Sequence, residues 1–100
     1  MSAYRHSMRD NGMKTYLAES YVPQLDRPKA AQISSSLVAA TGELRARGTA
    51  IELLHSFAVL AEETCFSLFS AANPADVRRA AELARLTYDH VIEVVCHSRK

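Results

Sequence analysis

The hydrophobic rhythm changes several times along the chain, and each change marks an element. "KTYLAESYV" (14–22) mixes aromatic and alternating apolar positions and stops at Pro23, which predicts a strand. From Pro28 to Arg47 the apolar residues Ile33, Leu37, Ala40 and Leu44 recur at helical spacing, opposite Lys29, Gln32, Ser36, Glu43 and Arg47. Asp26 stands near the start of this helix, and Pro28 occupies a place where its missing N–H is tolerated. Gly42 weakens the helix by about 1 kcal/mol relative to alanine, so a break is expected to be possible there. Gly48 is placed to end it, because glycine accepts the left-handed conformation of a helix stop.

"TAIELLHSFAVLA" (49–61) and "TCFSLFS" (64–70) read as two strands around a turn at Glu62 and Glu63, an antiparallel hairpin. In "NPADVRRAAELARL", Asn73 is a good N-cap, Pro74 opens a second helix and Asp76 favours its positive end. Val77, Ala80, Ala81 and Ala84, with Leu83 as a further candidate, form the stripe to be buried; Arg78, Arg79, Glu82 and Arg85 form the wet face. "HVIEVVCH" (90–97) is the last strand.

The order β-α-β-β-α-β is that of a ferredoxin-like α+β domain, a four-stranded antiparallel sheet with both helices on one face. Right-handed crossovers give the strand order 4-1-3-2. Residues 13–97 form this single domain. Residues 1–12, polar and ending in the turn pair Asn11-Gly12, read as a flexible tail, and 98–100 as a polar end.

Strand parity then raises a question about the other sheet face. In the second strand, His55 falls with Ile51, Leu53, Phe57 and Val59, and the opposite set still offers Leu54, Ala58 and Leu60. With a two-residue turn at Glu62 and Glu63, Cys65 pairs with Leu60 and shares that second face with Ser67 and Phe69. His55 is thereby expected on the helix-covered side and Cys65 on the bare side. A one-residue bulge would reverse this. A bare face this apolar is expected either to pack on a second copy or to line a pocket; a homodimer is the expectation, since two-fold association is the commonest way to cover such a surface.

Composition narrows the function classes. Twelve basic and eleven acidic residues are spread along the chain, so there is no basic stripe for nucleic acid. No apolar run approaches the roughly 18 residues of a membrane helix, and the N-terminus lacks the apolar core of a secretory signal. The two cysteines, Cys65 and Cys96, are too few for a disulfide framework and are expected as free thiols in a reducing, cytoplasmic compartment. The three glycines are scattered and build no phosphate loop.

Candidate chemistry is sparse. His55 sits among apolar residues and reads either as a satisfied structural histidine or as a pocket histidine for a metal or an anionic ligand. Glu19, a carboxylate in the middle of a strand, must pair with a cation, face a pocket or be protonated. Neighbours in a strand point oppositely, so Ser56 beside His55 is not a catalytic pair. His90, Cys96 and His97 lack the spacing that clusters zinc ligands, and Glu93 reads as a solvated edge residue.

"YLAESYVPQL", "LLHSFAVLAEETCFSLF" and "DVRRAAELARLTYDHVIEVV" resemble a family of small bacterial ferredoxin-like domains of unknown function, some labelled nickel-binding-like proteins. The likeness rests on Glu19, Tyr21 and Pro23; His55 and Ser56; Cys65, Phe66, Leu68 and Phe69; and Tyr88, Asp89, Val91 and Glu93. It implies a dimer of α+β sheets and, in some members, nickel. The chain departs from the pattern at Ser67, where the family often has a second cysteine, at Ala81, where it has an asparagine, and at Arg85, Leu86 and Thr87, where it has Gly-Leu-Pro. Those losses weaken the case for metal or polar-ligand chemistry.

The expectation is therefore a small non-catalytic binding protein, a homodimer, with a divalent metal such as nickel on His55 and Glu19, which imidazole chemistry suits. Tyr21, Ser56 and Cys65 are candidate pocket or interface residues. The alternatives are a dimeric α+β barrel enzyme, monooxygenase- or isomerase-like, with a small organic substrate between helices and sheet and His55 as acid or base, and a structural or interaction domain.

Overall fold

The computed structural model of the protein describes residues 12–97. The predicted tail, Gly12 excepted, and the polar end at 98–100 lie outside the described residues. Among the described residues four strands and two helices follow one another in the expected order: β1 (Lys14–Tyr21), α1 (Arg27–Ala46), β2 (Ile51–Val59), β3 (Thr64–Ala71), α2 (Pro74–Leu83) and β4 (His90–Val94), with a 3₁₀ turn at Leu60–Glu62. The sheet is antiparallel in the order β2-β3-β1-β4. That is the predicted 4-1-3-2 arrangement.

Local chemistry explains the helix ends. The Asp26 carboxylate accepts a hydrogen bond from the Lys29 amide at 2.8 Å, and Pro28 follows inside the first turn. Gly48 adopts φ +96°, and the amides of Gly48 and Thr49 return to Arg45 O and Leu44 O. Asn73 caps α2 by accepting from the Asp76 amide at 2.9 Å. Gly42 does not break α1, which runs on to Ala46. The preceding Thr41 is buried and turns its hydroxyl back to Leu37 O and Val38 O, so no polar group there is left to disrupt the helix.

The core lies between the helices and one sheet face: Tyr16, Ala18, Phe69, Ala71 and Ile51 from the strands, Leu37, Ala40 and Leu44 from α1, and Val77, Ala80 and Ala81 from α2. Each large side chain buried there contributes about 1.5–3 kcal/mol. Leu83 is exposed and drops out of the predicted stripe of α2, whereas Ala84 packs against the core.

Two sequence expectations fail in the hairpin, for one reason each. The turn is not the pair Glu62-Glu63: β2 ends at Val59, the 3₁₀ turn intervenes, and Glu63 takes φ +50° before β3. Cys65 consequently pairs with Ala58 and not Leu60. Earlier in β2, Leu53 pairs with Phe69 and His55 with Leu68, leaving Leu54 as the extra residue of a β-bulge. The bulge reverses the alternation, so Ile51 and Leu53 face the helices while His55, Phe57 and Val59 face the other way.

Candidate functional site

The side chains of the sheet sort into two faces with different chemistry. On the helix-free face, cross-strand partners form rows. His55 lies across from Leu68, Leu68 from Leu17, and Leu17 from Ile92. In the next row Phe57 lies across from Phe66, Phe66 from Glu19, and Glu19 from His90. Phe57 and Phe66 stack with ring centroids 5.1 Å apart at 17°, a geometry that adds roughly 0.5–1.5 kcal/mol. Phe57 is 54%, Ile92 49% and Tyr21 58% exposed, so nothing among the described residues covers this apolar face.

His55 is thus corrected from the helix-covered side to the open face, where it is exposed. It shares that face with Glu19, but β3 runs between their strands, which puts the two backbones about 10 Å apart at the usual strand spacing. The two predicted metal ligands therefore share a face but stand on strands that are not adjacent. On β4 the residue directly opposite Glu19 is His90, a pairing that the sequence analysis did not foresee. Among the described residues no group of three or more His, Cys, Asp or Glu side chains gathers into a metal site.

Cys65 is corrected in the opposite direction, with Ser67 and Phe69. All three are buried beneath the helices, and Cys65 is a free thiol whose pKa burial pushes up. Ser56, on the far side of the bulge, pairs with Ser67 on this same covered face. His55 and Ser56 thus point away from each other, as strand neighbours do. Beyond Ser67, the chain's covered face carries Ser20, whose hydroxyl donates to Thr87 O at 2.6 Å. Tyr88 joins them from the segment before β4, its ring edge-on to Phe69 with centroids 6.1 Å apart. Burial raises its pKa to about 12, moderated by the adjacent Ser67 hydroxyl. The Ser67 and Tyr88 hydroxyls are both buried and lie beside each other, outside normal hydrogen-bond geometry and with no other polar partner among the described residues. Sequence patterning marks Tyr88 only within a family motif; its role as a core residue has no periodic signal, because it belongs to no strand or helix.

Tyr21 is an exposed residue of the open face and not part of the core. It sits at the end of β1, where its hydroxyl donates to Glu63 Oε1 at 2.9 Å and its amide to Asp89 Oδ2 at 2.8 Å. The second Glu63 oxygen accepts from the Gln24 amide at 2.8 Å, and the Glu63 carbonyl from the Val22 amide at 2.7 Å. Glu63 therefore ties the hairpin turn to the β1–α1 loop. The Gln24 amide, then the Tyr21 hydroxyl, hold its carboxyl below the usual range, and the same contact raises the Tyr21 phenol.

No family model and no curated protein matches the chain. Among solved structures it is similar to SCO4226 from Streptomyces coelicolor A3(2), with a TM-score of 0.71 and 15% identity, over 84% of this chain and 99% of that one. At that identity the likeness bears on the fold: both chains carry the same ferredoxin-like arrangement.

Proposed function

We propose that the chain is a non-catalytic binding protein that works as a homodimer closed sheet to sheet, with its ligand held between the two open faces. The observation behind this reading is the bulge at Leu54, which turns His55 onto the same uncovered apolar face as Glu19 and His90. Two imidazoles and a carboxylate set in an apolar surface can recognise a ligand only if that surface is sheltered from water, and a second copy brings an identical set.

A divalent metal such as nickel is the first ligand to test, since imidazole and carboxylate both donate to such ions and the resemblance stated above points the same way. One chain does not supply a coordination sphere: Glu19 and His90 are neighbours, and His55 is two strands away from Glu19. Metal binding on this reading requires residues of both copies and so depends on the dimer. Light scattering after size exclusion is expected to give twice the 11.0 kDa chain mass. Calorimetry with NiCl₂ is expected to show binding that His55→Ala and Glu19→Gln each weaken. A monomeric mass rejects the dimer; a dimer with no nickel heat, or with heat indifferent to both variants, rejects the metal and leaves an interaction domain.

The enzymatic alternative used His55 as acid or base in a cavity between helices and sheet. His55 faces away from that side, so this reading has lost the group that carried it.

A further inference from the structure

We propose that the N-terminal half of α1 is a flap that can lift from the sheet, and that Glu63 at the β2–β3 hairpin is the latch that holds it down. The flap lies on the helix-covered side and does not rest on the sheet-to-sheet dimer.

Packing divides α1 into unequal halves. Its buried residues, Leu37, Ala40, Thr41 and Leu44, all lie in the C-terminal half. From Arg27 to Ser36 no residue is buried, and this stretch reaches the core through the half-buried Ile33. Beneath it, Ala30, Ala31 and Ser34 face Ser56, Ala58 and Cys65 across a gap of about 210 Å³. The run Ser34-Ser35-Ser36 contains no strong helix former, and the first turn carries no acidic side chain to favour the positive helix end. A helical segment this short is marginal in water without packing. Few buried contacts and a small side-chain lining mark the low-stability end of a fold.

What holds this half lies at its start. Leu25 is buried, and Asp26 caps the first turn through the Lys29 amide. The other tie is Glu63, whose carboxylate accepts from the Gln24 amide at 2.8 Å and from the Tyr21 hydroxyl at 2.9 Å. The bond from the Val22 amide to the Glu63 carbonyl, at 2.7 Å, does not need the side chain. Glu63 and Gln24 both have left-handed backbones, with φ +50° and +61°. Non-glycine residues stay in that region where their surroundings enforce it, and the carboxylate–amide bond joins the two directly.

Charge is the trigger. A hydrogen bond to an ionised acceptor is roughly twice as strong as a neutral one. The Gln24 amide, then the Tyr21 hydroxyl, with a smaller contribution from Lys29, hold the Glu63 carboxyl below its usual range. The latch is therefore fully present above the unfolded-state glutamate value of about 4.3 and is lost as pH falls through the lower folded value. The titratable and charged groups around it are Tyr21 from β1, Lys29 from α1, the capping Asp26 and the adjacent Glu62; Asp89, ahead of β4, accepts from the Tyr21 amide.

Amide hydrogen exchange of the full chain at pH 6, wild type against Glu63→Gln, tests this. The variant keeps the side-chain length and removes the charge. Residues 27–36 are expected to exchange about tenfold faster or more, and residues 37–46 to change little. Tyr21→Phe, which removes one of the two side-chain ties, is expected to move the same segment by less. In the wild type, exchange of 27–36 corrected for the intrinsic rate is expected to rise between pH 5 and pH 3. That rise is expected to vanish in Glu63→Gln and to persist in Asp26→Asn, which keeps a capping oxygen. The proposal is overturned by a wild-type segment 27–36 that exchanges without protection, by no acceleration in Glu63→Gln, by acceleration spread evenly along α1, or by a pH response that survives in Glu63→Gln.

Discussion

His55 stands directly across from Leu68, although strict alternation from Leu53 and Phe69 would put Leu54 there. Everything on the open face of β2 follows from that one extra residue. Deleting Leu54 should therefore remove the bulge without turning His55 around: Leu53 and His55 become consecutive, and His55 still meets Leu68. The variant is expected to fold, with a stability change within about 1 kcal/mol, the range of mild substitutions. Deleting Ser67 from the inner, unbulged β3 shifts the register of every residue on one side of it and is expected to abolish cooperative unfolding. Thermal melts of the two deletions check the pair; a Leu54 deletion as damaging as the Ser67 deletion would falsify the bulge assignment.

The Phe57–Phe66 stack provides a way to separate association from folding. In one chain Phe57 is more than half exposed, so Phe57→Glu should cost about 1 kcal/mol, mostly the lost ring pair. Across a sheet-to-sheet dimer it places two carboxylates in a dry interface, where unpaired charge is strongly unfavourable. The expected result is a folded monomer, read by light scattering together with a denaturant midpoint only slightly below that of the wild type. A dimer that survives the substitution argues that the open face is not the contact.

Ser20 and Ser67 are both fully buried serines on the covered face, yet they should respond oppositely to alanine. Ser20 donates to Thr87 O at 2.6 Å, so Ser20→Ala strips a buried carbonyl of its partner and is expected to cost about 1–2 kcal/mol. Ser67 makes no hydrogen bond of normal geometry, its hydroxyl lying beside that of Tyr88; Ser67→Ala is expected to be neutral or mildly stabilising. Urea unfolding of the two variants measures the contrast.

Much of the fold was legible because its signals are local. Asp26, Gly48, Asn73 and Pro74 act on their own backbone neighbours, and the stripes Leu37-Ala40-Leu44 and Val77-Ala80-Ala81 need only the helical period. The site was legible only in its residue types. Which face His55 and Cys65 take depends on a single extra residue and on a turn two residues longer than two glutamates suggest, and neither leaves a composition signal: Leu54 is as plausible a strand residue as its neighbours. His55 and Cys65 do occupy opposite faces, as parity implied, but each takes the one expected for the other. Tyr88 was hidden for a different reason. Its burial is a tertiary event, decided by Phe69 and Ser67 of a distant strand.

That burial has a consequence at high pH. Tyr88 in the folded chain has its pKa raised to about 12, against about 10 in an unfolded chain. Between those values the unfolded state has released the proton that the folded state keeps, so stability falls as pH rises. The contribution is fully present below about pH 10 and is lost progressively toward pH 12, amounting to roughly 2–3 kcal/mol if the whole shift is expressed. The exposed Tyr21 phenol is also raised, by Glu63, so the wild-type curve alone does not isolate Tyr88. Tyr88→Phe does: it keeps the ring against Phe69 and removes the titrating group. Denaturant midpoints measured from pH 8 to pH 11.5 should fall more steeply for the wild type than for Tyr88→Phe. Parallel curves would mean that the Tyr88 hydroxyl reaches water in the folded protein.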